Sequence, residues 1–281
     1  MSQGQTNDTL REWRESAKYW EKHAATIRKM FAPVTQALIE ETRISEGDRV
    51  LDVAGGPGEP SLTIAEVVGL SGSVTCTDAV AKMVSAARDE AQRRGLENIS
   101  FEQCLAESLP FEDNSFDAVV SRLGAMFFPD PLSALREMVR VTKADGSLSF
   151  AVWYESQLNP FAHVVTDVIS RHVSMPLVDP DAPGAFRFAA RGKLANILKE
   201  AGANHVRERL LEFRIEAPIS RDEFWEMRSG TSGTLREKLE AMPGSVRLQI
   251  ADEVKEAVAE FFTGGRMSFP AQMLIVTGRS R

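Results

Sequence analysis

The sequence predicts an α/β fold: a doubly wound, mostly parallel sheet of seven strands, with helices on both faces and helical insertions that form a lid. Three observations carry this expectation. From Arg49 to Trp153, short apolar runs alternate with segments of helical periodicity, the pattern of a parallel sheet built from βαβ units. The first run stops at Asp52-Val53 and opens into Ala-Gly-Gly-Pro-Gly, after which Pro60 starts a helix. The alternation resumes near Leu194 and closes on an apolar run, Ala271 to Thr277.

Taken in order, residues 1–9 are polar and expected to be disordered, and Leu10 to Glu41 has helical spacing at Ile27, Met30, Phe31, Val34 and Leu38. Pro33 should divide or kink that helix. Its first part carries Trp13, Tyr19, Trp20 and His23, which suit either a packed aromatic face or a lid over a ligand. Val50 to Val53 is the first strand, and Pro60 to Val68 a helix ending at Gly69. Ser73 to Thr77 is the second strand. The next helix shows one face through Val80, Met83, Val84, Ala87 and Ala91 and is capped by Gly95. Ile99 to Cys104 and Phe116 to Ser121 are the third and fourth strands. Asp130-Pro131 begins a helix as N-cap and first residue, with Leu132, Leu135 and Val139 expected inward. Ser147 to Trp153 is the fifth strand. A helix from Phe161 to His172, a Pro/Gly-rich loop (MPLVDPDAPGAF), a helix around Leu194 to Ala201 and a strand from Val206 to Ile215 come next. Residues 221–263 are helical. The expected organisation is an N-terminal helical lid (1–45), a ligand-binding half of the sheet (46–154) and the rest of the sheet (155–281) with insertions at about 155–190 and 221–263.

At 281 residues, with 43% hydrophobic and 26% charged side chains, the chain has the balance of a globular protein. Its 33 basic against 40 acidic residues leave −7, which speaks against a nucleic-acid partner or an anionic membrane surface. Cys76 and Cys104 lie in strand patterns and read as reduced core thiols. The four histidines lack ligand spacing, so no metal is expected. There is no signal-peptide core or membrane-length apolar run, and the expected location is cytoplasmic.

The chemistry centres on the glycine turn. A strand that stops at glycines and restarts as a helix brings bare backbone close to a ligand at the carboxyl ends of the strands. Asp78, closing the second strand, can accept hydrogen bonds from both hydroxyls of a ribose, which fits a nicotinamide dinucleotide or S-adenosylmethionine. The turn discriminates between them. Gly56-x-Gly58-x-x-Ser61 lacks the third glycine of the dinucleotide fingerprint, and Asp52 would repel a pyrophosphate. A carboxylate there suits an ammonium group.

VLDVAGGPG resembles the first motif of the class I S-adenosylmethionine-dependent methyltransferases. AESLPFEDNSFDAVVSRLGAMFF resembles the region of their fourth strand, particularly in relatives of the ubiquinone/menaquinone biosynthesis methyltransferases. LREMVRVTKADGSLSFAVW resembles their next helix, turn and fifth strand. The resemblance covers about residues 45–155 and implies a Rossmann-like methyltransferase fold. It places Asp52, Ala54, Gly55, Gly56 and Gly58 around the amino-acid end of S-adenosylmethionine, Asp78 on the ribose and Ala79 beside the adenine. Ala106 and Glu107 would hold the adenine edge, and Arg122 and Leu123 would touch the methionine part through their carbonyls. Two positions depart from the family: Ala54 replaces a glycine, and Leu105 stands where many relatives have an Asp or Asn on the adenine amino group.

The implied function is methyl transfer to a small, partly apolar acceptor (at O, N or C), leaving S-adenosylhomocysteine. The competing readings are a non-methylating cofactor-binding protein and an enzyme using the same cofactor for other chemistry. A nicotinamide dehydrogenase is disfavoured by the turn. His23 and His163 are candidate general bases, with a packing or surface role as the competing reading. Tyr19, Met126, Phe127, Phe161, Phe186 and Trp225 are candidates for the acceptor pocket, each with core packing as its alternative. The protein is expected to act as a monomer or homodimer.

Overall fold

The structure, a computed structural model, describes residues 3–173 and 179–281. Met175 to Val178 of the Pro/Gly-rich loop lie outside the described residues. Eight strands form one sheet in the order β3-β2-β1-β4-β5-β8-β6, with a short β7 (Phe262–Thr263) paired to β8. The strands β1 (Arg49–Val53), β2 (Ser73–Asp78), β3 (Ile99–Gln103), β4 (Phe116–Arg122) and β5 (Thr142–Trp153) run parallel. β8 (Arg266–Arg279) is antiparallel both to β5 and to β6 (Asn204–Ala217).

Right-handed crossovers explain the layering. The chain winds outward from β1 to β3 through α3 (Ser61–Val68) and α4 (Ala81–Arg94), then crosses back and winds the other way from β4 to β5 through α5 (Pro131–Val141). The two directions put α3 and α4 on the face opposite α5. The reversal falls between β1 and β4, where Asp52 is paired with Val120, and it opens a crevice at the carboxyl ends of these strands.

The core is continuous through Leu51, Val119, Val120, Phe150 and Leu274, all buried. The helix after Asp130 turns its buried face by one position from the expected one: Ala134, Leu135, Met138 and Val141 are inward, while Leu132 and Val139 are only partly covered. Asp130 caps it as expected, accepting the Ser133 N–H at 3.1 Å.

At the N-terminus, α1 (Gln3–Met30) begins within the stretch expected to be disordered and breaks at Phe31, before α2 (Ala32–Thr42), which places Pro33 in its first turn. The C-terminal part adds α6 (Pro160–Ser170), α7 (Lys193–Glu200), α8 (Arg221–Thr231), α9 (Gly233–Glu240) and α10 (Gly244–Ala257). α6 packs on β8 and α10, and α8 and α9 pack on α1, so α1 is held across the end of the sheet. No helix among the described residues is long and apolar enough to cross a membrane.

Candidate functional site

The glycine turn is stitched to β2 by hydrogen bonds. Gly55 N donates to the Thr77 carbonyl at 2.8 Å, and Thr77 Oγ1 donates to the Asp52 carbonyl at 3.1 Å. Gly56 N and Val80 N donate to the two oxygens of Asp78, at 3.1 and 2.9 Å. A Cβ on Gly55 would sit 2.7 Å from both Asp52 Oδ2 and Cys76 Sγ, so only glycine lets the turn lie this close to β1 and β2. Across the crevice, a Cβ on Gly124 would sit 2.7 Å from the Ala54 Cβ. Ala54 (φ 60°) and Leu123 (φ 63°) both adopt the left-handed region, a costly conformation for residues with a Cβ. These two strained positions lie where β1 and β4 end.

Two carboxylates flank this turn, Asp52 in β1 and Asp78 at the end of β2. Asp52 is fully buried; Ser61 donates to its Oδ2 through both the main-chain N–H (3.1 Å) and the hydroxyl, while Oδ1 has no partner among the described residues. Burial pushes its pKa up to about 7, against the pull of Ser61 and of the nearby Arg122. Burial likewise pushes Asp78 up to about 6, opposed by the N–H groups of Val80 and Gly56.

A pocket opens above the turn. Its floor is Val53 to Pro57 with Asp78 and Ala79, and one side is Cys104, Leu105, Ala106 and Glu107. The other side is Arg122, Leu123, Gly124, Phe127 and Phe128, and its roof is Leu10, Trp13, Trp20, Ala24, Ile27, Arg28 and Phe31. The roof is aromatic and apolar: Trp13 meets Phe127 edge-on at 5.0 Å and Trp20 at 5.8 Å between ring centres. Trp20 is fixed to α8 by its indole N–H, which donates to the Thr231 carbonyl at 3.0 Å. Glu107 is held by the Asp130 N–H at 3.1 Å, and burial raises its pKa.

Of the residues singled out from sequence, the pocket brings together Ala54, Gly55, Gly56, Asp78, Ala79, Ala106, Glu107, Arg122, Leu123 and Phe127. Asp52 and Gly58 do not line it: Asp52 lies beneath the turn, and Gly58 packs against Leu62 and Ala87. Met126 is fully buried in the core. Phe161 belongs to an aromatic cluster with Phe31, Phe224 and Phe269, and Phe186 packs on Trp153. Trp225 packs against the core from α8, outside the pocket.

The α1 candidates are separated by helical phase. At about 100° per residue, positions 13, 20, 24 and 27 fall within about 40° of one line, whereas 19 and 23 lie about 80–120° from it. Tyr19 accordingly packs on Gly230 of α8, and His23 lies outside the pocket with its Nε2 buried and unpartnered among the described residues. Burial lowers the pKa of His23. His163 is hydrogen-bonded to Asp167 within α6. Neither histidine reaches the pocket. Trp13 and Trp20, expected from sequence as either a packed face or a lid, and Ile27 of the helical face line the roof, and the same periodicity adds Ala24.

The cradle fits S-adenosylmethionine. The glycine turn leaves space for a ligand close to backbone, Asp78 presents an acceptor from the end of β2, and among the described residues no lysine lines the pocket for a pyrophosphate. Of its three arginines, Arg94 is neutralised by Glu59 and Glu90. Among the described residues no cluster of His, Cys, Asp or Glu could hold a metal ion.

Comparison with known proteins agrees. Residues 51–150 match a methyltransferase domain family. The ubiquinone/menaquinone biosynthesis C-methyltransferase UbiE of Stenotrophomonas maltophilia is 44% identical over 109 residues, which are 38% of this chain and 43% of that protein. The matched region therefore spans less than half the length of this curated relative. Among solved structures, the YcgJ protein of Bacillus subtilis superposes with a TM-score of 0.56 at 22% identity, covering 88% of this chain and 97% of that one. A SAM-dependent methyltransferase of Aquifex aeolicus gives 0.52 at 22%, covering 70% and 91%. At this identity the two structures establish the fold. Residues 51–150 thus match a methyltransferase domain family and resemble the ubiquinone/menaquinone C-methyltransferases, and the chain has the Rossmann-like fold of the methyltransferase structures.

Proposed function

We propose that this protein transfers a methyl group from S-adenosylmethionine to a small, largely apolar acceptor that stacks among Trp13, Trp20 and Phe127. One observation carries the reading: a single pocket joins the glycine turn and Asp78 to an aromatic roof. The bound cofactor supplies a methyl group already activated on a sulfonium. The remaining tasks belong to the chain. The turn and Asp78 orient the nucleoside and amino-acid ends, the end of β4 and Phe127 set the direction of approach, and α1 covers the site and excludes water. A mobile α1 is part of the proposal, because Leu10, Trp13 and Trp20 close the roof and must move to admit a ligand.

Among the described residues no histidine lines the pocket. The proposed acceptor is a phenol, a quinol carbon or an amine, aligned with the methyl group rather than activated by a histidine. The acidic balance of the chain supports a small-molecule acceptor rather than a nucleic acid. The test is calorimetric titration with S-adenosylmethionine, S-adenosylhomocysteine and NAD, followed by acceptor screening with mass-spectrometric detection of a methyl gain. Binding of the first two ligands without NAD, and a methylated product, is the expected result. Binding of NAD alone would overturn the reading of the turn.

A further inference from the structure

Among the described residues three arginines line the pocket, and they differ in what already neutralises them. Arg94 is ion-paired with Glu59 at 3.0 Å and Glu90 at 2.8 Å. Arg122, the last residue of β4, is held without an anion. Its Nη1 donates to Thr35 Oγ1 at 2.8 Å, its Nη2 donates to the Glu59 main-chain carbonyl at 3.1 Å, and its guanidinium lies 6.0 Å from the centre of the Phe31 ring. These anchors come from α2, from the glycine turn and from the junction of α1 and α2, so the group is fixed from three sides. The carboxylates of Asp52 and Glu59 attract it, yet it forms no ion pair among the described residues. Two of its five N–H donors are used by these bonds. A desolvated cation without a counter-ion is unfavourable, and a bound carboxylate relieves that cost.

Its position points the same way. Arg122 lies two residues beyond Val120, the partner of Asp52 in the neighbouring strand, so the guanidinium stands at the sheet reversal beside the turn. An α-amino acid brings opposite charges to such a place. We propose that the Arg122 side chain receives the α-carboxylate of the cofactor's methionine moiety, a role beyond the carbonyl contact expected from sequence. This rests on the pocket being the S-adenosylmethionine site. Arg28 is the rival. It faces the pocket from α1 but makes no hydrogen bond or ion pair among the described residues, so its guanidinium is not pre-organised.

The test compares three ligands by calorimetry: S-adenosylhomocysteine, its decarboxylated analogue, and 5′-methylthioadenosine, which lacks the amino-acid end. Wild-type protein should bind S-adenosylhomocysteine at least about tenfold more tightly than the decarboxylated analogue, the scale of a charge-assisted hydrogen bond. Arg122→Met should weaken S-adenosylhomocysteine by about 10- to 100-fold while changing 5′-methylthioadenosine by less than about threefold, with Arg122→Lys between. Equal wild-type affinity for the carboxylated and decarboxylated ligands overturns the proposal. So does a loss in Arg122→Met that is the same for all three ligands, or a discrimination removed by Arg28→Met instead. If Arg122→Met does not fold, the wild-type ligand comparison and Arg122→Lys decide. Failure of every ligand to bind wild-type protein would refute the cofactor reading itself, a result distinct from failure of the arginine assignment.

Discussion

Cofactor affinity should depend on pH through Asp78, and the size of the effect comes from its surroundings. Burial holds the Asp78 carboxyl at about 6 in the free protein, even though Gly56 and Val80 both donate to it. Ribose hydroxyls donating to the carboxylate favour its ionised form, so the pKa falls when the ligand binds. This sets the sign of the effect. Above the free-protein pKa the group is already ionised and affinity is flat; below it, binding must first expel a proton. Affinity then falls by about tenfold per pH unit, so the Kd for S-adenosylhomocysteine should be about tenfold weaker at pH 5 than at pH 7. Near pH 6, binding should release about half a proton. Titration calorimetry between pH 5 and 8, in buffer pairs of different ionisation heat, measures both quantities. Asp52 and Glu107 are also raised by burial, and Asp78→Asn separates their contribution: the variant should bind more than about tenfold more weakly and lose most of the pH slope. A wild-type Kd that stays constant from pH 5 to 8, or an unchanged slope in Asp78→Asn, would refute the reasoning.

Three further outcomes are expected. Ala54→Gly relieves the left-handed strain at the first position of the turn; after the entropy that glycine adds to the unfolded chain, a gain of about 0.5–1 kcal/mol should appear as a Tm rise of about 1–2 °C by calorimetry. Leu105 lines the pocket with its side chain substantially exposed, and Leu105→Asp should tighten S-adenosylhomocysteine several-fold if a carboxylate there reaches the adenine amino group; unchanged or weaker binding removes that contact. Hydrogen exchange of α1 amides between Leu10 and Met30 should slow on addition of S-adenosylhomocysteine while exchange in α5 stays the same; equal protection of both would argue against a lid.

The element order, the parallel sheet and the ligand end of the crevice were legible in the chain because their causes are local. Apolar runs of strand length, glycine at the turn, Asp130-Pro131 at a helix start and Gly95 at a helix end each act within a few residues. Asp78 could be placed on the pocket because strand ends in such a sheet converge on one edge, whereas Ala106, Glu107 and Leu123 were placed there by the family resemblance. What the sequence alone left open depends on contacts between distant segments. Phe161 and Phe127 are both phenylalanines next to apolar neighbours, yet one is enclosed by Phe224 and Phe269 from later in the chain and the other faces a cavity. Trp20 and Tyr19 are adjacent, and the direction from which α8 packs on α1 decides which of them roofs the pocket. Local propensity sets which residues form each element. The packing of those elements decides which side chains keep a counter-ion, as Arg94 does, and which are left without one, as Arg122 is.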